Sequence, residues 1–382
     1  MSVPAIVVGV LLVAVVLWDA FETIILPRRV TRRIRLARLF YRFTWVPWRS
    51  LARRVRSAKH RETVLSYYGP LSLLALFVVW ALWLIVGFAL VHWGLGSAVV
   101  AQPGERANFW LDLYFSGTTF FTLGLGDIAP RAPLARAITV VEGGTGFGFL
   151  AIVISYLPVL YGAFSRREVN ISLLDARAGS PPAAGELLRR HAESGNLAQL
   201  GDYLHDWELW AAELMESHLS YPVLCYFRSL HNNQSWLAAL TAVLDACTLV
   251  LAYTDSVCRW QARLTFAISR HALVDLAQTF GAPPRTMPMD RLPPEDLDHL
   301  EKLLAPAGFS LRRSTEADAQ FTHLRKMYEP FAGSLATLLV MPLPAWFPTT
   351  APVDNWRTSA WGRSAGDGVL GVSSPAVDEE HS

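Results

Sequence analysis

Thr118–Pro130 runs Thr-Thr-Phe-Phe-Thr-Leu-Gly-Leu-Gly-Asp-Ile-Ala-Pro and lies between two strongly apolar stretches. Its centre, Thr122-Leu123-Gly124-Leu125-Gly126-Asp127, alternates glycine with larger residues. Successive carbonyls face one side of a chain only if some residues take backbone angles that a Cβ disfavours, which is what alternate glycines permit. Such a ribbon presents oxygen atoms that replace the hydration shell of a cation when several copies surround one axis. Thr122 adds a hydroxyl oxygen at the inner end. The preceding segment, Asn108–Phe121, is apolar but too short to cross ~30 Å of hydrocarbon. It therefore predicts a re-entrant helix, a form allowed at membrane depth only where backbone is buried in protein or faces water. Its C-terminal end carries partial negative charge toward the glycine run, which suits a cation, and Asp112 near its start suits the opposite pole. Thr118 and Thr119 are placed to brace the run from behind by hydrogen bonding.

The pattern Thr-x-Gly-x-Gly-Asp resembles the signature of the potassium-channel pore family. The similarity covers roughly Asn108–Tyr161. Asp127 and Pro130 continue a Gly-Asp-x-x-Pro run, Arg136 matches a basic residue that opens the inner helix, and Gly146 falls where the family places a hinge glycine. The resemblance implies a permeant potassium ion, held by the carbonyls of Thr122, Leu123, Gly124 and Leu125 and the Thr122 hydroxyl. Gly126 and Asp127 complete the filter, with Asp127 acting mainly as a brace. Three positions depart from the family pattern. Leu125 stands at the filter aromatic, Leu123 replaces the usual Val or Ile, and Phe121 replaces a second Thr. These bear on potassium-over-sodium selectivity more than on the pore. One loop cannot encircle an ion and no second filter-like run exists, so a homotetramer with closed rotational symmetry is implied.

Three apolar spans surround this loop. Val3–Leu26 is the first, long enough to cross a bilayer. It lacks the basic start and small-residue cleavage site of a leader and ends in Arg28-Arg29. Asp19 and Glu22 lie three apart on one face near its inner end. Acids at membrane depth pair with neighbours, and Arg28, Arg29 or Arg32 are the expected partners, with a contact to the gate as the alternative. Tyr67–Trp93 is the second span, with His92 expected as an interface residue rather than an external pH sensor. Gly94–Arg106 is a short external connection. Pro133–Phe164 is the third span, the inner helix. Gly144 and Gly148 form a small-residue face on it, Gly146 supplies a hinge, and Pro158 a kink near the inner mouth. Glu142 either braces the filter from behind through a hydrogen bond or faces the cavity. The register that puts Gly146 at the hinge favours the brace.

Charge sets the orientation. Residues 28–62 hold 13 Lys and Arg against one acid, whereas residues 165–382 hold 18 against 25 acids. A basic stretch between two apolar spans points to an anionic membrane surface, not to nucleic acid. Arg28–Arg61 mixes arginines with Leu, Phe and Trp, the composition of an interfacial helix, which Pro47 is expected to divide. The positive-inside rule puts this linker in the cytoplasm of a bacterial-type cell membrane.

A mean hydropathy of +0.28 over 382 residues is too apolar for an ordinary soluble protein and too polar for a chain wholly in lipid, so a second, soluble domain follows. Val169–Pro182 is expected as a linker, then helices at 183–194, 197–219, 223–231, 234–253, 256–280, 290–305 and 315–340. Asn233 is the expected N-cap of Gln234–Tyr253. That segment is apolar enough for a fourth span, but Asp245 favours a buried bundle helix. Cys225, Cys247 and Cys258 lack metal-ligand spacing and read as buried thiols, and His205, His218, His231 and His271 are scattered. Neither a nucleotide-binding Gly-x-Gly-x-x-Gly after a strand nor a catalytic constellation stands out, so an enzyme is the least favoured class. The expectation is an all-α membrane protein, a tetrameric potassium-channel-like pore with a helical cytoplasmic domain. Its parts are a membrane helix (1–27), a basic linker (28–62), the pore domain (63–165), the helical domain (166–345) and a disordered tail (346–382).

Overall fold

The computed structural model describes residues 2–26, 35–96, 99–100, 108–195, 197–230, 233–255 and 258–348. It is an all-α membrane protein among these residues, apart from one two-residue strand pair. The chain divides into two compact units, Met1–Gly162 and Ala163–Ser382.

The first unit begins with α1 (Val3–Ala20), extended by one π-helical turn, Phe21–Ile25. α2 (Leu36–Arg54) and α3 (Ala58–Gly94) follow. β1 (Val99–Val100) pairs antiparallel with β2 (Ala129–Pro130), and α4 (Phe109–Phe120) lies between them in sequence. α5 (Pro133–Ala178) completes the unit and continues into the second. At ~1.5 Å per residue, α3 and α5 are each longer than a bilayer core is thick.

α1 lies against α3 at backbone distance, because glycines face it. A Cβ on Gly9 would sit 2.5 Å from the Gly87 carbonyl, and one on Gly94 would sit 3.0 Å from the Ser2 carbonyl. The Ser2 N–H donates to the Gly94 carbonyl at 2.7 Å. Small residues allow such approach in lipid, where packing rather than water exclusion holds helices together.

Asp19 and Glu22 have partners among the described residues. Asp19 accepts from the backbone N–H groups of Leu36 (2.9 Å) and Ala37 (3.0 Å) and from Trp80 Nε1 (3.1 Å). It caps α2 from seventeen residues away, satisfying donors that a helix start leaves open. Glu22 accepts from Trp18 Nε1 at 2.8 Å and pairs with Arg35 at 3.7 Å. Arg28, Arg29 and Arg32 lie outside the described residues.

Pro47 does not divide α2, which runs through it as one helix. Side chains on both sides of the proline hold the helix to α3. Trp48 Nε1 donates to the Val64 carbonyl at 3.0 Å, and Thr44 and Tyr68 share a hydrogen bond of 2.9 Å. α2 consequently has three faces: Ala37, Trp45 and Ala52 buried, Arg38, Arg42 and Arg53 along one exposed edge, and Leu36, Phe43, Val46 and Leu51 exposed beside them.

In the second unit the linker expected over Val169–Pro182 is mostly helix, since α5 continues to Ala178. The remaining helices are α6 (Ala184–Glu193), α7 (Leu197–Ser220), α8 (Trp236–Tyr253), α9 (Arg259–Thr279), α10 (Pro294–Leu304), α11 (Thr315–Lys326) and α12 (Glu329–Leu339). The helix expected over 223–231 is instead a short 3-10 turn, Pro222–Tyr226. The helix expected over 315–340 breaks before Pro330, whose missing N–H suits the first turn of a new helix. Ser235, not Asn233, caps α8, accepting from Ala238 N–H at 3.0 Å.

α8 is the centre of this unit. It is long and apolar enough to cross a membrane, yet every one of its residues is buried among the neighbouring helices. Asp245 explains how its single charge is tolerated. Arg291 grips it with two hydrogen bonds, 3.1 and 2.6 Å, and Tyr328 donates to it at 2.5 Å. Arg291 also reaches Glu329 at 3.0 Å and the Pro344 carbonyl at 2.8 Å. Trp346, assigned above to a disordered tail, is fully buried; its carbonyl accepts from Gly185 N–H at 2.7 Å. Residues 349–382 of that tail, and His231, lie outside the described residues. Cys225, Cys247 and Cys258 are buried free thiols.

His218 is buried beside Arg167. Its Nε2 lies 3.1 Å from Arg167 Nη1 and therefore accepts, so the ring is neutral. Burial and the adjacent guanidinium hold its pKa well below the usual 6.5. The unfolded chain takes up a proton near that value and the fold does not. Stability is thus complete above the unfolded pKa and falls as pH drops through it, by up to ~1.4 kcal/mol per pH unit. Thermal melts between neutral and mildly acidic pH should show this slope, and His218→Gln should flatten it; equal slopes in the two proteins would refute the assignment.

Candidate functional site

The site is built where α4 ends. Asn108 caps the helix, its Oδ1 accepting from Leu111 N–H at 2.9 Å, and Asp112 in the first turn is buried. At the other end the last carbonyls turn into the glycine run. Thr118 O accepts from Leu123 N–H at 2.8 Å, and Thr119 O from Thr122 N–H at 3.0 Å. Thr118 thus supports the run through its main chain, while its hydroxyl turns back to Phe115 O at 2.9 Å.

Positive φ recurs at every second residue: Thr122 (+59°), Gly124 (+54°) and Gly126 (+80°). The alternation falls on the two glycines, as the motif requires. It also falls on Thr122, where a side chain tolerates the left-handed region at a cost of roughly 1–2 kcal/mol. Every residue from Phe121 to Asp127 is exposed in the single chain, Leu123 and Leu125 by more than 60%. The run is therefore a ribbon that its own subunit leaves uncovered.

Asp127 is tied back to α4. Tyr114 donates its hydroxyl to Oδ2 at 3.0 Å, and Ile128 N–H reaches Oδ1 at 3.1 Å. Arg136 donates to the Pro130 carbonyl at 3.2 Å, joining the start of α5 to the segment beyond the glycine run.

Behind α4 lies Glu142, buried without solvent contact. Ser116 hydrogen-bonds to its Oε1, and His92 Nε2 lies 3.2 Å from Oε2. Ser116 Oγ is also 2.8 Å from the Ile85 carbonyl. The carboxyl group touches α4 rather than residues 122–127. His92, expected at the interface, is fully buried, its ring edge-on to Phe115 at 5.2 Å.

Gly146 sits where α5 crosses the end of α4. A Cβ there would stand 1.9 Å from the Phe120 carbonyl oxygen and 2.9 Å from its Cα. α5 continues as one helix through Gly146 and Pro158. A Cβ on Gly144 or Gly148 would meet nothing within 4 Å in the chain. Sequence reasoning missed Tyr114, Ser116 and the burial of His92. Ser116 and Glu142 are far apart in sequence and carry no joint motif; Tyr114 is an ordinary interface aromatic by composition.

The arrangement of membrane helix, re-entrant helix, glycine ribbon and second membrane helix defines the class. Residues 75–160 match the model of a family described as "Ion channel", so this segment is similar to an ion-channel pore unit. The chain is also 29% identical over 197 residues to "Uncharacterized membrane protein YdjJ" of Bacillus subtilis (strain 168), covering 50% of this chain and 55% of that protein. The chain thus spans about half the length of this relative. No solved structure matches it.

Proposed function

We propose that four copies of this chain surround one axis and conduct potassium ions passively across a cell membrane. The carrying observation is the ribbon Thr122–Asp127, with alternating positive φ and no cover from its own subunit. Carbonyls of Thr122, Leu123, Gly124 and Leu125, with the Thr122 hydroxyl, replace the ion's water. Gly126 and Asp127 close the outer end, and Tyr114 holds Asp127. Thr118, Thr119 and Glu142 support the filter from α4 and α5. The exposed apolar residues Val140, Val141, Phe147 and Ile154 of α5 support a tetramer, since neighbouring subunits and lipid would cover them. Gly146 and Pro158 lie on the stretch of α5 that would bend at a gate.

The arginine edge and free apolar face of α2 support a seat on anionic headgroups on the cytoplasmic side. That orientation puts the second unit in the cytoplasm. A second reading, a weakly selective monovalent-cation channel, is favoured by Leu125 and Leu123, which supply no aromatic ring to pack behind the filter. The remaining alternative, a non-conducting anchor acting through the second unit, predicts no flux at all.

Purified protein in liposomes should give potassium-selective flux. Gly124→Ala should abolish it, because alanine at φ +54° is strained and turns the carbonyl. Unchanged flux in this variant would reject the filter assignment. Reversal potentials in mixed sodium and potassium separate strict from weak selectivity.

A further inference from the structure

Three helices meet at one buried polar cluster. Ser116 of α4 touches the Ile85 carbonyl of α3 (2.8 Å) and Glu142 Oε1 of α5. His92 of α3 touches Glu142 Oε2 (3.2 Å). All three side chains are fully buried, so every contact left unmade is left unmade by water as well.

Counting protons constrains the cluster. A serine hydroxyl carries one hydrogen, and the Ile85 carbonyl can only accept. If Ser116 donates to Ile85, the Ser116–Glu142 contact needs its proton from Glu142. The carboxylic-acid form supplies it: Glu142 donates to Ser116, Ser116 to Ile85, and His92 Nε2–H to Glu142 Oε2. The alternative with the same proton count is an imidazolium beside a carboxylate. It puts a hydrogen on His92 Nδ1, which is buried and has no hydrogen-bond partner among the described residues. It also leaves Ser116 one hydrogen for two acceptors.

We propose that His92 and Ser116 are positioning residues of the pore, locking α4 to both flanking helices through Glu142 in its acid form, and that loss of this one proton releases the filter's support. This rests on the channel reading above. When the proton leaves, Ser116 must drop either Ile85 or Glu142, and α4 keeps only one of its two ties. α4 ends in the carbonyls that hold Thr122 and Leu123, so the loosened helix reaches the ion pathway. Other titratable and charged groups lie on the packed elements. Asp112, one turn before Ser116, is a second buried carboxyl on α4. On the outer side, Tyr114 is engaged with Asp127 and Arg136 with Pro130. α1, packed on α3, brings no titratable side chain from Val3 to Leu17.

The test uses full-length protein in liposomes, with potassium-to-sodium permeability ratios read from reversal potentials from neutral to alkaline pH. The wild-type ratio should fall toward alkaline pH by about tenfold, the factor one lost buried hydrogen bond carries. Glu142→Gln keeps one donor and one acceptor and has no proton to lose, so its ratio should stay high and flat. Ser116→Ala and His92→Phe should lower the ratio at every pH. Superimposable profiles for wild type and Glu142→Gln, with an unchanged ratio in Ser116→Ala, would overturn the proposal. Melting profiles in detergent provide a readout independent of conduction. Wild type should lose stability toward alkaline pH relative to Glu142→Gln, and parallel profiles would count against the lock. A wild-type protein that passes no ions ends the channel reading, and the melting comparison still decides the lock.

Discussion

In Gly146→Ala, flux falls to background and the protein melts well below wild type. The added Cβ would lie 1.9 Å from the Phe120 carbonyl oxygen and 2.7 Å from its carbon. Both are backbone atoms, so no rotamer change relieves the clash. Either α5 moves away from α4 or the end of α4 moves, and the latter carries the carbonyls that hold Thr122 and Leu123. Overpacking typically costs ~1–3 kcal/mol, and a backbone obstacle belongs at the upper end. Gly144→Ala and Gly148→Ala are the comparison, since neither new methyl meets anything within 4 Å in its own subunit. A glycine kept only for bending predicts altered opening in an alanine variant with normal melting. A glycine kept for contact predicts loss of both. Wild-type melting and flux in Gly146→Ala would remove the contact account.

Asp245→Ala unfolds the second unit's core under conditions that wild type survives. Asp245 is fully buried and is held by Arg291 and Tyr328. Removing one partner of a buried pair costs ~3–5 kcal/mol, mostly because the remaining charge is stranded. Arg291 keeps Glu329 at 3.0 Å, which softens the loss in Asp245→Ala. Arg291→Ala strands Asp245 with only Tyr328, so it should be the more damaging of the two. Chemical denaturation of the full-length protein reads both; a shift below ~1 kcal/mol in either would show that water reaches the site.

The backbone form of the glycine run was legible because its chemistry is local. Alternating glycines, a flanking apolar helix and the Asp127–Pro130 run all fall within one short stretch, and φ alternates where the glycines stand. Most helices of the second unit were legible from periodicity, 223–231 and the break before Pro330 excepted, and Asp245 pointed to α8 as a buried helix. What was not legible depends on distant partners. Asp19 caps a helix seventeen residues on, and no rule of adjacent charges points there. His92 looked like an interface residue because its spacing placed it at a span's end; only the fold brings Glu142 to it. Pro47 was expected to break α2, but the ties of Thr44 to Tyr68 and of Trp48 to Val64 on α3 outweigh the lost hydrogen bond. Trp346 sits in a stretch of tail-like composition and is still part of the core.

The sheathed helix α8 has a bearing on how the chain is made. Its eighteen residues leave the ribosome as a segment greasy enough for the translocation machinery to accept. Arg291, the cation that will neutralise Asp245, is synthesised 46 residues later. Until then the bare aspartate at mid-segment imposes an insertion penalty of ~2.5–3.5 kcal/mol. The same carboxylate that later knits the bundle together therefore disfavours membrane insertion of the nascent segment.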